Sequence, residues 1–426
     1  MAEIRPFRGI RYNRELVKDL AAVICPPYDV ISPEQQRAYY QRSEHNAIRL
    51  EYGMELAQDA PTDNRCTRAA AIFEQWFRQS VLQIDAEPAF YIHDHYFSCG
   101  GLGKRRRGLM ACVRLEPWQS GVIRPHENTV AGIKSDRLAL MRACHANFSP
   151  ILAFYKDRGQ EVAGLLAEET KLEPLISFKR DEEAHTLWAI SGAEVIREVS
   201  RLVREQPLYI ADGHHRYETA LAYRDVRCQD SLLVTGSEAF NFIMVTLVPL
   251  TDPGLIIFPI HRLVRGLSPA SLTKLRARLE SLFEVELLPL SEFKSLQAEK
   301  SGELVFDILG LEPRRVMRLR LRRGASAEGI IPESHCEAYR GLAVSLVHYL
   351  VLEKLGGGEM VYTPDEGEAR QRVEGRECQL AFLLPAISAE AIKAVADAGD
   401  RMPGKSTYFY PKLPTGLVIN QLKGEL

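Results

Sequence analysis

The clearest pattern along the chain is a short apolar run that breaks at a glycine and passes directly into a helical pattern. Residues 208–211 are apolar, Asp212 and Gly213 interrupt the run, and Tyr217 and Ala220 then recur at the spacing of one helix face. The pattern predicts a buried strand, a tight turn and a helix that starts near residue 214. The first turn of such a helix gathers backbone N–H groups and partial positive charge, so it favours an anion such as a phosphate.

Hydrophobic periodicity predicts a mixture of helices and strands over the rest of the chain. Helical spacing predicts helices over 64–82, 269–283 and 336–356, the last ended by three glycines at 356–358. Alternation and apolar runs predict strands over 88–97, 107–115, 241–249, 303–309 and 316–322, and the first two form a hairpin. Residues 158–206 are predicted to hold two helices on either side of a charged stretch, 179–183. The expected fold class is therefore α+β, a mixed α/β arrangement.

Composition narrows the class of protein. The chain has 426 residues, which is enough for two or three domains. Its 54 basic and 56 acidic residues give a net charge of −2, which argues against a nucleic-acid binder. The eight cysteines form no CxxC pair, the N-terminus carries no apolar signal region, and no apolar run reaches the roughly 18 residues of a membrane span. We expect a cytoplasmic protein with no membrane partner.

Charged and polar residues make the turn at 212–216 a candidate chemical site. His214, His215 and Arg216 fall in the first predicted helical turn, where Arg216 could hold an anion with two parallel hydrogen bonds. Farther upstream, Lys134 and Arg137 share one helix face and could neutralise phosphate charge, although a solvated basic face is an equally reasonable interpretation.

Six segments of the chain match the pattern of one family: 4–9, 26–30, 124–127, 134–138, 210–219 and 405–412. Together they resemble a bacterial and archaeal family of unknown function, DUF1015, over essentially the whole chain. Asp-Gly-His-His-Arg at 212–216, with His126-Glu127 upstream, also resembles the ParB/sulfiredoxin superfamily and its free-serine kinases. This resemblance implies a ParB/sulfiredoxin-like core over 111–262 with an insertion at about 156–205. An N-terminal subdomain (1–110) and a C-terminal subdomain (263–426) would flank the core.

The same resemblance implies a function. It points to nucleotide-dependent phosphoryl transfer involving a small hydroxyl metabolite, with serine or phosphoserine as the first substrate to consider. ATP or ADP with Mg²⁺ would be the cofactors, and a homodimer is also considered. The implied catalytic residues are Glu127 (the base for the hydroxyl), His126, Asp212 and His215. The implied nucleotide-binding residues are Gly213, His214, Arg216, Thr219, Lys134, Arg137 and Lys405.

The sequence differs from the family pattern at two points, and two alternative functions remain open. The insertion separates Glu127 from Asp212 by more than in the small kinases, and Ile260 stands where the family commonly has threonine before His261-Arg262. His214 occupies the position of the sulfiredoxin cysteine, which argues against sulfur chemistry. The rival functions are a phosphomonoester (phosphoserine) hydrolase and a non-catalytic nucleotide-sensing module.

Two further motifs are interpreted as structural. Residues 399–406 satisfy the phosphate-loop spelling G-x-x-x-x-G-K-S, but the pattern predicts a helix before them and a strand after them, which is the reverse of the required context. His93 and His95 alternate on a predicted strand and share a face, so they could ligate a metal. A histidine pair on a hairpin is more often structural, and no metal site is predicted.

Overall fold

The computed structural model describes residues 1–129, 131–230, 233–291, 293, 295–296, 304–322, 330–350 and 358–426. The chain packs into two compact units. Unit 1 comprises 1–125, 129–255 and 411–426, and unit 2 comprises 126–128 and 256–410. The three-part division into 1–110, 111–262 and 263–426 stays a prediction.

The described residues form both helices and strands, as the sequence predicts for an α+β protein. The helices are α1 (Pro33–Arg42), α2 (Ile48–Glu51), α3 (Arg65–Arg78), α4 (Ala131–Cys144), α5 (Glu161–Glu169), α6 (Ala193–Arg204), α7 (His214–Asp230), α8 (Pro269–Leu282), α9 (Glu337–Arg340), α10 (Ala343–Leu350), α11 (Glu366–Glu374) and α12 (Ala389–Asp397). The strands are β1 (Ile4–Arg5), β2 (Ile10–Tyr12), β3 (Leu82–Ile84), β4 (Phe90–Cys99), β5 (Leu102–Arg114), β6 (Ile123–Arg124), β7 (Ala146–Asn147), β8 (Ile151–Tyr155), β9 (Ile176–Arg180), β10 (Glu183–Ile190), β11 (Leu208–Asp212), β12 (Phe242–Pro249), β13 (Ile256–Pro259), β14 (His261–Arg265), β15 (Phe283–Pro289), β16 (Val305–Leu309), β17 (Arg315–Leu321), β18 (Glu359–Thr363), β19 (Leu380–Leu383), β20 (Thr407–Tyr410) and β21 (Asn420–Gln421).

Unit 1 is built on a nine-stranded mixed sheet in the order β6-β11-β8-β12-β5-β4-β10-β9, with β1 paired to β5. The β11–β6 and β12–β8 pairs are parallel and the other pairs are antiparallel. Alternate residues of the central strands enter two different hydrophobic clusters. On β5, Leu109 and Ala111 join one cluster with Tyr217 of α7, whereas Met110 and Cys112 join the other with Trp76 of α3. Because both faces are covered, the central strands read as continuous apolar runs.

Unit 2 contains an antiparallel six-stranded sheet in the order β15-β17-β16-β19-β14-β18, together with the β13–β20 pair. Leu263, Leu309, Val316 and Ala381 form part of its core. Among the described residues of the whole chain, none of the helices is both long enough and apolar enough to cross a membrane.

Two sequence predictions need correction. The charged stretch at 179–183 is not a linker between helices, because β9 and β10 pair as a hairpin across it and extend the sheet of unit 1. The helix predicted over 336–356 is interrupted within its described part, because α9 ends at Arg340 with Gly341 as its C-cap and α10 begins at Ala343. The predicted glycine cap at 356–358 lies outside the described residues at its first two positions.

Candidate functional site

The strand, glycine turn and helix predicted around residue 212 are confirmed. Strand β11 ends at Asp212 and α7 begins at His214, so Gly213 alone makes the turn. Its φ of 96° lies in the left-handed region that favours glycine. The abrupt turn places the N-terminus of a 17-residue helix at the end of a buried strand, and this helix end favours an anion.

Asp212 is held between two cations. Lys412 donates to its Oδ1, and the Nη2 of Arg216 donates to its Oδ2 at 2.6 Å. Burial alone would raise the pKa of Asp212, but the nearby charges of Lys412 and Arg216 outweigh burial and hold the pKa well below its ordinary value. Asp212 is therefore ionised at neutral pH, and the three side chains together carry a net charge of +1.

Arg216 contacts protein acceptors as well as Asp212. Its Nη1 donates to the carbonyl of Pro150 at 2.5 Å and to Oγ of Ser149 at 3.2 Å, and only 8% of the residue is exposed. The guanidinium is therefore fixed across the base of the turn, where it orients Asp212. The positive charge of Arg216 would attract an anion at the start of α7. Its hydrogen-bond donors, however, point to acceptors within the protein.

The two histidines of the turn differ in exposure. His214 is 5% exposed, whereas His215 is half-buried. Both begin α7, and His215 is the more accessible of the two.

Thr219, on the same helix, lines a small, partly open cavity. The cavity has a volume of about 40 Å³ and is also lined by Glu51, Ser149 and Arg216. The Oγ1 of Thr219 is buried and has no hydrogen-bond partner among the described residues. A cavity of this size with polar groups in its lining can hold one or two water molecules, which would satisfy this hydroxyl.

Lys134 and Arg137 have acidic partners. Lys134 donates to Oε2 of Glu218 on α7 at 2.7 Å. Arg137 donates to Asp136 and to the carbonyl of Glu51 at 2.7 Å, and its guanidinium lies 4.2 Å above the ring centre of Tyr28. The two residues therefore neutralise protein carboxylates, and their predicted role in binding nucleotide stays a prediction.

His126, Glu127 and Lys405 come together within unit 2. The Nε2 of buried His126 lies 3.0 Å from Oγ1 of Thr407, and the carbonyl of His126 accepts from the N–H of Met402. The backbone N–H of Lys405 donates to Oε1 of Glu127 at 2.8 Å. Lys405 has a φ of 59°, which is unusual for a residue other than glycine, and this conformation presents its N–H to the carboxylate.

The phosphate-loop spelling at 399–406 has a different structural role. Helix α12 ends at Asp397 before it, and β20 begins at Thr407 after it, as the sequence predicts. The loop instead contributes the N–H of Lys405 to Glu127.

The family of this chain follows from its sequence. The family described as "Protein of unknown function (DUF1015)" matches residues 4–331, which is more than half of the chain. The chain belongs to the DUF1015 family. None of the curated proteins matches this DUF1015 protein.

Several solved structures are similar to this DUF1015 protein. A free serine kinase in complex with AMP is 14% identical, with a TM-score of 0.34, over 71% of this chain and 88% of the other. A conserved hypothetical protein from Pyrococcus furiosus is 15% identical, with a TM-score of 0.32, over 68% and 90%. SbnI from Staphylococcus aureus, truncated at its C-terminus, is 13% identical, with a TM-score of 0.35, over 74% and 87%.

Asp212 of this DUF1015 protein fits Mg²⁺ poorly. Mg²⁺ requires oxygen ligands at close range, and it usually binds through one or two carboxylates together with substrate phosphates. Both carboxylate oxygens of Asp212 already accept from Lys412 and Arg216. These two cations neutralise the carboxylate in place of a metal ion.

Lys412 contacts the turn, although the sequence does not predict it as a site residue. It is the last residue of the 405–412 segment, which was the only available signal. Lys405 is predicted from its place in this family segment, whereas the ammonium group that contacts the turn belongs to Lys412, seven positions later.

Proposed function

We propose that this DUF1015 protein catalyses nucleotide-dependent phosphoryl transfer involving a small hydroxyl metabolite, with serine or phosphoserine as the first substrate to test. The observation that carries the proposal is the turn at Gly213, where a helix begins beside Asp212, Lys412 and Arg216. The resemblance of 212–216 to the phosphate-binding turn of free-serine kinases supplies the reaction class.

The charge balance of the turn supports phosphate binding. One carboxylate and two cationic side chains leave a charge of +1, and the helix adds partial positive charge at its N-terminus. In phosphoryl transfer most of the catalysis comes from positioning and from stabilising charge on the transferring group. Asp212 holds Lys412 and Arg216 in place, so their positive charges are already positioned at the turn, although the donors of Arg216 point to protein acceptors.

Glu127 is assigned the role of base for the substrate hydroxyl. The N–H of Lys405 fixes its Oε1 and so limits the rotation of the carboxylate. A base must lie within hydrogen-bond reach of the hydroxyl, and positioned bases contribute about 10²–10⁴-fold to rate. His126 supports this segment through Thr407, and His215 is the accessible imidazole of the turn.

The test incubates the protein and MgCl₂ with serine and ATP, or with serine and ADP, and measures phosphoserine by mass. Glu127→Gln should lower turnover by about 10²-fold or more while nucleotide binding, measured by thermal shift, stays unchanged. Glu390→Gln, exposed on α12, is the matched control and should retain wild-type turnover.

Each other outcome rejects the proposal in a defined way. Phosphate release from phosphoserine without nucleotide would identify a hydrolase. Nucleotide binding without turnover of any hydroxyl substrate would identify a sensing module. Full activity of Glu127→Gln would show that Glu127 is not the base for the substrate hydroxyl.

A further inference from the structure

Three ligand-type side chains meet on one face of the unit 1 sheet. His95 of β4 lies directly opposite His185 of β10 in the antiparallel register, and Glu183 precedes His185 by two positions. Because side chains alternate along a strand, Glu183 and His185 share a face, and cross-strand pairing brings His95 to the same face. Both β10 residues fall within 156–205, the segment that the family resemblance predicts to be an insertion.

The nitrogen and oxygen atoms of this cluster are spaced like the ligands of a metal ion. Nε2 of His95 lies 2.9 Å from Oε2 of Glu183, and Nε2 of His185 lies 3.8 Å from the same oxygen. All three ligand atoms lie within 4.8 Å of one another. A tetrahedral zinc ion with bonds of about 2.0–2.1 Å separates its ligands by roughly 3.4 Å, so the two distances to Glu183 differ from this spacing by about half an ångström or less.

His185 gives an independent indication of a ligand. It is only 2% exposed, and its Nε2 has no hydrogen-bond partner among the described residues. A buried polar nitrogen without a partner is destabilising, and native structures rarely leave one without a reason. Its other ring nitrogen, Nδ1, lies 3.1 Å from Nε2 of His93, which can accept its proton and fix the tautomer that leaves Nε2 to bind a metal.

Aromatic side chains pack against both imidazoles of the cluster. The ring of Phe178 stacks on His185 with centres 5.0 Å apart, and Phe97 packs edge-on to His95. Glu183 is partly exposed and lines a cleft of about 520 Å³, so the cluster has one member that faces solvent.

We propose that His95, Glu183 and His185 form a binding site for a divalent transition-metal ion, with zinc as the expected occupant. Two imidazoles and one carboxylate match the preferences of zinc and leave a fourth position for water. The ion would clamp the β9–β10 hairpin to β4 and so stabilise the inserted edge of the sheet. This site uses none of the residues assigned to phosphoryl transfer, and the two proposals stand or fall separately.

Arg106 places a buried positive charge beside the proposed metal site. It is 2% exposed, and its Nη2 lies 3.5 Å from Nδ1 of His95, on the side of the ring away from Glu183. A buried positive charge at this position opposes a cation. Replacing Arg106 by methionine should therefore tighten zinc binding, the opposite of the effect of removing a ligand.

The test uses the full chain, depleted of metal with a chelator and titrated with Zn²⁺ alone. We expect about one ion per chain and a rise in the thermal midpoint of about 3 °C or more at saturation. Glu183→Gln and His185→Gln should each weaken binding about tenfold or more, whereas Glu182→Gln, the neighbouring exposed carboxylate, should bind as the wild type does.

Substitution with Co²⁺ keeps the test decisive even if His185→Gln fails to fold. The visible spectrum should show a tetrahedral or five-coordinate ion without the strong near-ultraviolet bands of a thiolate ligand. Thiolate bands would assign the ion to a cysteine and overturn the proposal. Equal binding by Glu183→Gln and Glu182→Gln, or a stoichiometry far below one ion per chain, would also overturn it.

Discussion

Lys412 donates a hydrogen bond to Asp212, although the two residues are 200 positions apart in the sequence. The segment that follows unit 2 thus supplies a cation to a turn formed by the central part of unit 1. The pair is largely buried, with 12% and 16% of the side chains exposed. It fixes the charge of the candidate phosphate site.

Replacing Lys412 by methionine should destabilise the protein and weaken nucleotide binding. The change removes one of the two cations on Asp212 and lowers the local charge from +1 to 0. Breaking a buried pair completely costs about 3–5 kcal/mol, and we expect about 2 kcal/mol here because Arg216 still contacts Asp212. Urea denaturation and nucleotide titration measure the two effects. Lys423→Met, exposed near the end of the chain, should change neither quantity.

Acid should remove the contribution of Asp212 to stability. The folded pKa of Asp212 is depressed below the unfolded value of about 3.9, so the folded state favours the ionised form. Its contribution is complete above about pH 5 and declines as the pH falls through the folded pKa. The difference in free energy of unfolding between wild type and Asp212→Asn should therefore shrink from pH 7 to pH 3. Asp225→Asn, an exposed change on α7, gives the background; a difference for Asp212→Asn that is constant with pH would contradict the prediction.

Gly213→Ala should disturb the turn through Arg216. A Cβ at this position would lie 3.0 Å from both Nε and Nη2 of Arg216, in a backbone conformation with φ of 96°. Gly100→Ala is a useful comparison because Gly100 also has positive φ, at 60°, but a Cβ there meets nothing within 4 Å. The left-handed conformation alone costs roughly 1–2 kcal/mol. Gly213→Ala should lose about 1 kcal/mol more than Gly100→Ala and should also bind nucleotide less tightly. Equal losses would show that the contact with Arg216 has no effect.

The Lys405→Gly variant distinguishes the contribution of the Lys405 side chain from the contribution of its backbone. Glycine adopts the φ of 59° without strain and keeps the N–H that binds Glu127. Stability should therefore rise by about 1 kcal/mol, while nucleotide affinity should fall because the exposed ammonium group is lost. Lys405→Ala should show the same loss of affinity without the gain in stability. Unchanged affinity in both variants would remove Lys405 from the nucleotide-binding residues.

Local patterns were sufficient for much of the fold. The turn at Gly213 and helix α3 were predicted because residues close in sequence determine a glycine turn and an amphipathic face. The same local context identified 399–406 as something other than a phosphate loop. The β9–β10 hairpin was missed because charged residues surround its Asp181-Glu182 turn and obscure the alternation of apolar residues on either side.

Pairings between distant residues could not be predicted. No local pattern connects Lys412 with Asp212, and the electrostatic partner of a carboxylate is set by tertiary packing. His95 was selected with His93 because the two share a strand, whereas the residues that complete its cluster come from β10 through cross-strand register. The sequence alone does not fix that register.

The return of residues 411–426 to unit 1 has a consequence for biosynthesis. A ribosome completes the first 255 residues and then all of unit 2 before it releases Lys412 and β21, which pairs with β7. Until then the turn at Gly213 lacks one of its two cations. Nascent chains should therefore acquire the complete site only after residue 412 has been synthesised, so polypeptides interrupted within unit 2 should bind its ligand more weakly.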